Sequence, residues 1–337
     1  MFFARIVSGG LCLAVSALLL TGLPNVAIAA DAPASAYEKT FSNRSATGEE
    51  LANAFFDLLS NTGSPSGTVG TTSEQDEASK ALVKPYLDPA FQLQRASGER
   101  YTAENYLPAD VDEFELGDVR ETRPATDVIV VRYSIRADQE LPDAALVMSK
   151  EKAPRLTVFH WSDVDSRWKI LSHANFNTPV AAICDQKPTV KSILTSPVSA
   201  EDKALGEHLL TQFFDLLMKG DTIAMLNPAI QVQTSSGRGY TTLAERKNPS
   251  KYDDVHFDYA VVTRNKDVLV ASSYNVAGKR EFMRVDQLRS GLAPFMATFI
   301  LNEEGTWSII SIASFAAPKE LPDGVTCVPS GSLEKAP

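Results

Sequence analysis

The chain has 337 residues, 44% of them hydrophobic and 22% charged, a profile that excludes a disordered chain and leaves room for two domains with separate cores. The formal net charge of −10, with no basic stripe, opposes general attraction to nucleic acid or to anionic lipid.

Residues 1–29 read as a secretory signal. Arg5 is the sole charge, residues 6–20 are mostly apolar, and Ala27-Ile28-Ala29 forms a small-x-small cleavage site. Ser8, Gly9 and Gly10 interrupt the apolar run, which is short for spanning a bilayer. Cleavage would remove Cys12 and take the charge from −10 to −11 with the loss of Arg5. The expected product is a periplasmic or extracellular protein with no membrane attachment, led by a flexible segment over 30–44.

Apolar spacing predicts an amphipathic helix over 48–59. Residues 61–79, with Gly63, Pro65, Gly67 and Gly70 among Ser and Thr, read as a mobile insertion. A short helical turn then leads into a strand over 91–95, Gly98 turns the chain, and Thr102 is placed to cap a short helix. Strands are expected over 113–120, 127–136, 156–162 and 167–176. A linker covers 180–202, after which the pattern restarts: helix 204–218, strand 230–234, the Gly237 turn, and strands 256–262, 268–276, 295–301 and 306–315, with a tail over 319–337.

The restart is a repeat. Phe55-Phe56-Asp57-Leu58-Leu59 recurs as Phe213-Phe214-Asp215-Leu216-Leu217. Leu87-Asp88-Pro89-Ala90-Phe91-Gln92-Leu93-Gln94 recurs as Leu226-Asn227-Pro228-Ala229-Ile230-Gln231-Val232-Gln233. Gly98 and Tyr101-Thr102 match Gly237 and Tyr240-Thr241, and Trp168-Lys169-Ile170 matches Trp307-Ser308-Ile309. Two copies of one α+β unit follow, over 45–179 and 203–318, each a curved, mostly antiparallel sheet on N-terminal helices. The matching Trp168 and Trp307 read as core.

The opening helix, the Asp/Asn-Pro-Ala-(Phe/Ile) step into a strand, the glycine turn and the closing Trp-x-Ile hairpin resemble the nuclear transport factor 2-like superfamily, with the SnoaL-like domains as the nearest branch. The resemblance implies one cone-shaped domain per copy with a pocket between helix and sheet. It also implies sheet-to-sheet pairing, which two copies in one chain could complete as an internal pseudo-dimer. Members include steroid isomerases, dehydratases and cyclases as well as domains that only bind, so residues have to decide.

Isomerase chemistry needs a carboxylate base, which the resemblance places on the first strand; here that strand carries Gln92 and Gln94, or Gln231 and Gln233, and glutamine takes no proton at neutral pH. A dehydratase would need paired His and Asp; His160 and His173 lie on the closing hairpin with Asp163 and Asp165 in its turn, and the second copy has no His there. His160 and His173 read as ordinary strand residues. The expected ligand contacts are Gln92, Gln94, Arg132, Tyr133 and His160 in the first copy and Gln231 and Gln233 in the second. No metal or cofactor motif is present. Cys184 and Cys327 would be the two cysteines of the mature chain, as one bridge or as two thiols; both readings stand.

The leading expectation is a non-catalytic binding protein for an apolar or amphipathic small molecule or a protein partner. A lyase or isomerase with one active copy is the alternative. An envelope or adhesion module is a third.

Overall fold

The computed structural model describes residues 35–62, 73–108, 110–141, 146–182, 195–235, 237, 239–245, 257, 259–274 and 293–315, all of them within one compact unit. The signal, most of the linker with Cys184, and the tail with Cys327 lie outside the described residues.

Helix α1 (Ala36–Phe41) falls where a flexible lead is expected. Two things order it. Ser35 and Glu38 close a capping box, and Tyr37 and Phe41 turn inward, Phe41 lying 4.8 Å from the Tyr86 ring. Helix α2 (Gly48–Ser60) has its own capping box from Thr47 and Glu50 and buries Leu51, Ala52, Phe55, Phe56, Leu58 and Leu59. Helix α3 (Ser73–Val83) occupies the later part of the expected mobile insertion, so residues 73–79 are helical; residues 63–72 lie outside the described residues.

The first sheet contains β1 (Leu87–Arg95), β2 (Arg100–Thr102), β3 (Asp110–Ala125), β4 (Val128–Leu141), β5 (Leu146–Met148), β6 (Ala153–Ser162), β7 (Arg167–Asn175) and β8 (Pro179–Ala182). Its order is β2-β1-β7-β6-β4-β5-β8, with β3 also on β4, and all pairs are antiparallel except β1 with β7. Strand β8 carries this sheet into the expected linker. The short helix expected after Thr102 is a turn, in which Asn105 Oδ1 accepts from the Thr102 backbone N–H at 2.7 Å.

Helix α4 (Ala200–Lys219) opens the second half, capped by Ser199 and ended by Gly220 at φ 74°, a left-handed position suited to glycine. The second sheet contains β9 (Leu226–Thr234), β10 (Gly239–Tyr240), β11 (Tyr259–Asn265), β12 (Val268–Tyr274), β13 (Phe295–Leu301) and β14 (Trp307–Ser314), in the order β10-β9-β14-β13-β12-β11. The pair β9 with β14 is parallel, as β1 with β7 is in the first sheet.

Side chains alternate across each sheet. One face packs on helices: Phe91, Leu93, Ile129, Val131, Phe159 and Trp168 join Phe55 and Phe56 in the first half, while Ile230, Val232, Leu269, Phe299 and Ile309 join Phe213 and Phe214 in the second. Trp168 is fully buried, whereas Trp307 is half-buried at the core's edge beneath Arg264. The opposite faces meet each other. Ala90, Val130, Leu156, Val158, Leu171 and Phe176 pack with Val270, Met296, Ile310, Ala313 and Phe315 in one buried cluster. The equivalent Phe176 and Phe315 stack at 4.3 Å.

Candidate functional site

The expected ligand contacts divide between the two faces of the first sheet. Gln92 faces the second sheet: its Nε2 donates to Val261 O (3.1 Å), Thr263 Oγ1 (3.0 Å) and Val270 O (2.9 Å), and its Oε1 accepts from Ser272 Oγ. Gln231 does the reciprocal thing, donating to Arg120 O (3.0 Å), Thr122 Oγ1 (3.2 Å) and Val130 O (2.6 Å). These two amides join the halves and do not face the helices. Gln94, on the same face as Gln92, is taken up by Arg95 O, Gly98 O and Glu99 O and accepts from Arg100 Nε at 3.0 Å; Gln233 donates to Thr234 O at 2.9 Å. Arg132 also crosses to the second half, where Nη2 donates to Thr241 Oγ1 at 3.0 Å, and burial lowers its pKa.

His160 lies on this face as well. Its Nδ1 donates to Asp88 Oδ2 at 2.8 Å, and Asp88, fully buried, also accepts from Asn265 Nδ2 of the second half and from the Ala90 N–H. Burial alone would lower the His160 pKa, but the Asp88 hydrogen bond and charge, with Asp127 and Asp267, outweigh it and raise the value. A His–Asp pair therefore exists, yet its acid is Asp88 rather than a residue of the hairpin turn. Trp161 Nε1 and Arg44 engage Asp163, and Lys169 engages Asp165. Among the described residues Asp88 is the one buried carboxylate, and it lies between the sheets.

Tyr133 alone of the expected set faces the helices, and it belongs to a polar cluster. Strand register puts Tyr133 opposite Arg155, Thr157 opposite His173, and Arg95 opposite Asn175, a continuous patch over β4, β6, β7 and β1. Thr157 Oγ1 stands 3.0 Å from Tyr133 Oη and 2.9 Å from His173 Nδ1, so the two hydroxyls can donate in sequence to a neutral imidazole. The His173 ring meets Phe55 edge to face at 5.2 Å. Arg95 Nη1 donates to Tyr101 Oη at 3.0 Å and its guanidinium covers that ring at 4.6 Å.

Burial first, then the charges of Arg155 and Arg95, hold His173 well below its usual pKa, so the ring is neutral near pH 7. Burial pushes the Tyr133 phenol up to about 12 and brings Arg155 down to about 10, leaving the one protonated and the other cationic. The same register in the second half pairs Ser273 with Phe295, Ala297 with Ile312, and Thr234 with Ser314. There Phe295 fills the space against Phe213 and Phe214, at 5.8 and 5.2 Å. The two halves share a framework and differ in what lines one end of it.

No protein-family model matches the chain, and no curated protein matches it. Solved structures that resemble it include proteins described as nuclear transport factor 2-like. One from Cytophaga hutchinsonii is 14% identical, covering 35% of this chain and 99% of that one at a TM-score of 0.28. A second, from Shewanella frigidimarina and described as a putative ketosteroid isomerase, is 14% identical over 36% of this chain and 99% of its own at 0.27. A third, from Novosphingobium aromaticivorans and described as having a cystatin-like fold, is 15% identical over 37% and 84% at 0.27. Each match covers roughly a third of this chain.

Sequence reasoning missed Arg155, Arg95, Thr157 and Asp88, and took His173 for a strand residue without consequence. A signal was present: Tyr133, Arg155, Thr157 and His173 stand where the other copy has Ser273, Phe295, Ala297 and Ile312. Among the described residues no group of His, Cys, Asp and Glu could hold a metal ion, and no helix is long and apolar enough to cross a membrane.

Proposed function

We propose that this is an exported, non-catalytic binding protein made of two tandem cone-shaped domains that pair internally, the first domain taking an amphipathic ligand and the second bracing it. The polar end of the ligand would meet Arg155, Tyr133, Thr157 and His173, and its apolar part would lie along Phe55, Phe56 and the aliphatic strand residues. The observation that carries this reading is the contrast between the copies. The second domain closes the same framework with Phe295, Ala297 and Ile312, so folding does not require polar groups there. Burying a guanidinium and an imidazole carries a desolvation cost that the apolar second copy avoids. Cationic Arg155 beside a neutral His173 favours an anionic head group, a carboxylate above all.

The lyase or isomerase reading draws on the Tyr133–Thr157–His173 chain. Against it stands the place of the buried carboxylate: Asp88 is between the sheets, held by His160 and Asn265, away from the helix-facing surface where a substrate carbon would sit.

Native mass spectrometry of protein purified from its own compartment should release a small molecule, and thermal-shift titration should favour carboxylate-headed over neutral-headed amphiphiles of equal chain length. Arg155→Met, which keeps the apolar stem, should abolish that preference while the protein stays folded. An equal response to both head groups in the unaltered protein would sink the assignment.

A further inference from the structure

The contact between the sheets is nearly two-fold symmetric in its glutamines, and two of its departures from symmetry complement each other. Register equates Arg100 with Gly239, because Arg100 pairs with Gln94 on β1 and Gly239 with the equivalent Gln233 on β9. It equates Arg132 with Ser272, which pair with the equivalent Leu156 and Met296. On one side of the contact the guanidinium comes from β2: Arg100 Nη2 donates to Ser273 O at 3.1 Å, and the small Ser272 stands where an arginine stands in the other copy. On the other side it comes from β4: Arg132 Nη2 donates to Thr241 Oγ1 at 3.0 Å, and Gly239 stands where the other copy has Arg100. The space is filled, since a Cβ built on Gly239 would overlap Arg132 Nη1.

The hydrogen bonds around the glutamines follow the same exchange. Where Ser272 is present, Gln92 Oε1 accepts from its hydroxyl. Where Arg132 replaces it, Gln231 Oε1 and Arg132 Nε are both without a hydrogen-bond partner among the described residues. One arginine is therefore accommodated per side, in both cases from the first half, and on the Arg132 side the glutamine loses the partner that Ser272 gives its counterpart.

We propose that Arg100 and Arg132 are complementary keys that make this surface selective for unlike halves, so that a first-half face accepts a second-half face and rejects another first-half face. Like-with-like pairing of two first halves would drive both guanidinium groups into one place, combining steric overlap with repulsion of buried like charges. Two second halves would bring Gly239 opposite Ser272 and leave a gap on each side. The partner this face fits is thus the other half of the same kind of chain, and two-fold pairing of identical halves is closed off. The inference rests on the internal pairing proposed above and is independent of any ligand.

The test is a swap in the full chain. Ser272→Arg puts a second key on the Arg100 side and should lower the thermal unfolding midpoint by roughly 5–10 °C, or abolish soluble expression. Adding Arg100→Gly recreates the Arg132–Gly239 arrangement, and the double variant should regain at least half of the lost midpoint, or regain soluble folded protein, although Arg100→Gly alone is destabilising. A Ser272→Arg variant as stable as the unaltered protein would overturn the proposal. So would a double variant no better than Ser272→Arg alone, and thermal unfolding reports both outcomes whether or not the tandem protein has a ligand.

Discussion

His160 and His173, on the neighbouring strands β6 and β7, sit on opposite faces of the sheet and titrate in opposite senses. His160 has a folded pKa raised above 6.5 by Asp88, so its stabilising contribution is complete below about pH 6.5 and fades as pH rises through the raised value. His173 is the reverse case. Its folded pKa lies well below 6.5, so between that value and 6.5 the unfolded chain binds the extra proton and stability falls on acidification, by about 1.4 kcal/mol per pH unit. Urea denaturation across the range should show both limbs. His160→Gln should flatten the alkaline side and His173→Gln the acid side; a variant that changed the other limb instead would refute the assignment of the two environments.

At the scale of elements, the opening helix of each half approaches its sheet through glycine. Gly48 begins α2 and Gly206 lies inside α4, at matching positions, and a Cβ on either would come within 2.5 Å of a valine methyl, on Val131 and Val262 respectively. Helix propensity alone favours Gly206→Ala by about 0.5–1 kcal/mol. Overpacking against both γ-carbons of a rigid valine costs about 1–3 kcal/mol, so the packing term wins. Gly206→Ala should therefore lower the unfolding midpoint, whereas pairing it with Val262→Ala should recover part of the loss. A stabilised single variant would mean that the helix can step back from the sheet freely.

For the whole molecule, the buried cluster between the sheets and the crossed Gln92 and Gln231 amides make each half part of the other's core. Unfolding should be one cooperative transition. Trp307 is the second half's tryptophan and Trp161 and Trp168 belong to the first, so Trp307→Phe leaves fluorescence reporting the first half alone. Its transition should coincide with that of the unaltered protein followed by circular dichroism. Gln92→Glu is close to isosteric but places acceptors against Val261 O and Val270 O, and should lower the single midpoint without splitting it. Two separated transitions in the unaltered protein would show that the halves fold independently.

The repeat was readable from residues alone, because Phe-Phe-Asp-Leu-Leu, the Pro-Ala step and the closing Trp-x-Ile recur in order, and helix and strand periods placed the elements around them. Strand period also put Gln92 with Gln94, and Gln231 with Gln233, on one face. It could not say which face, since alternation of two fixes sidedness relative to neighbours and leaves open what covers each side. Only the tertiary structure decided that the glutamines, Arg132 and His160 meet the other half while Tyr133 meets the helices. Asp88 and His160 are far apart in the chain, as are Arg95 and His173, and strand pairing across the sheet is what makes them neighbours. Local spacing carries secondary structure, whereas a site assembled from four strands depends on long-range register, which no single segment encodes.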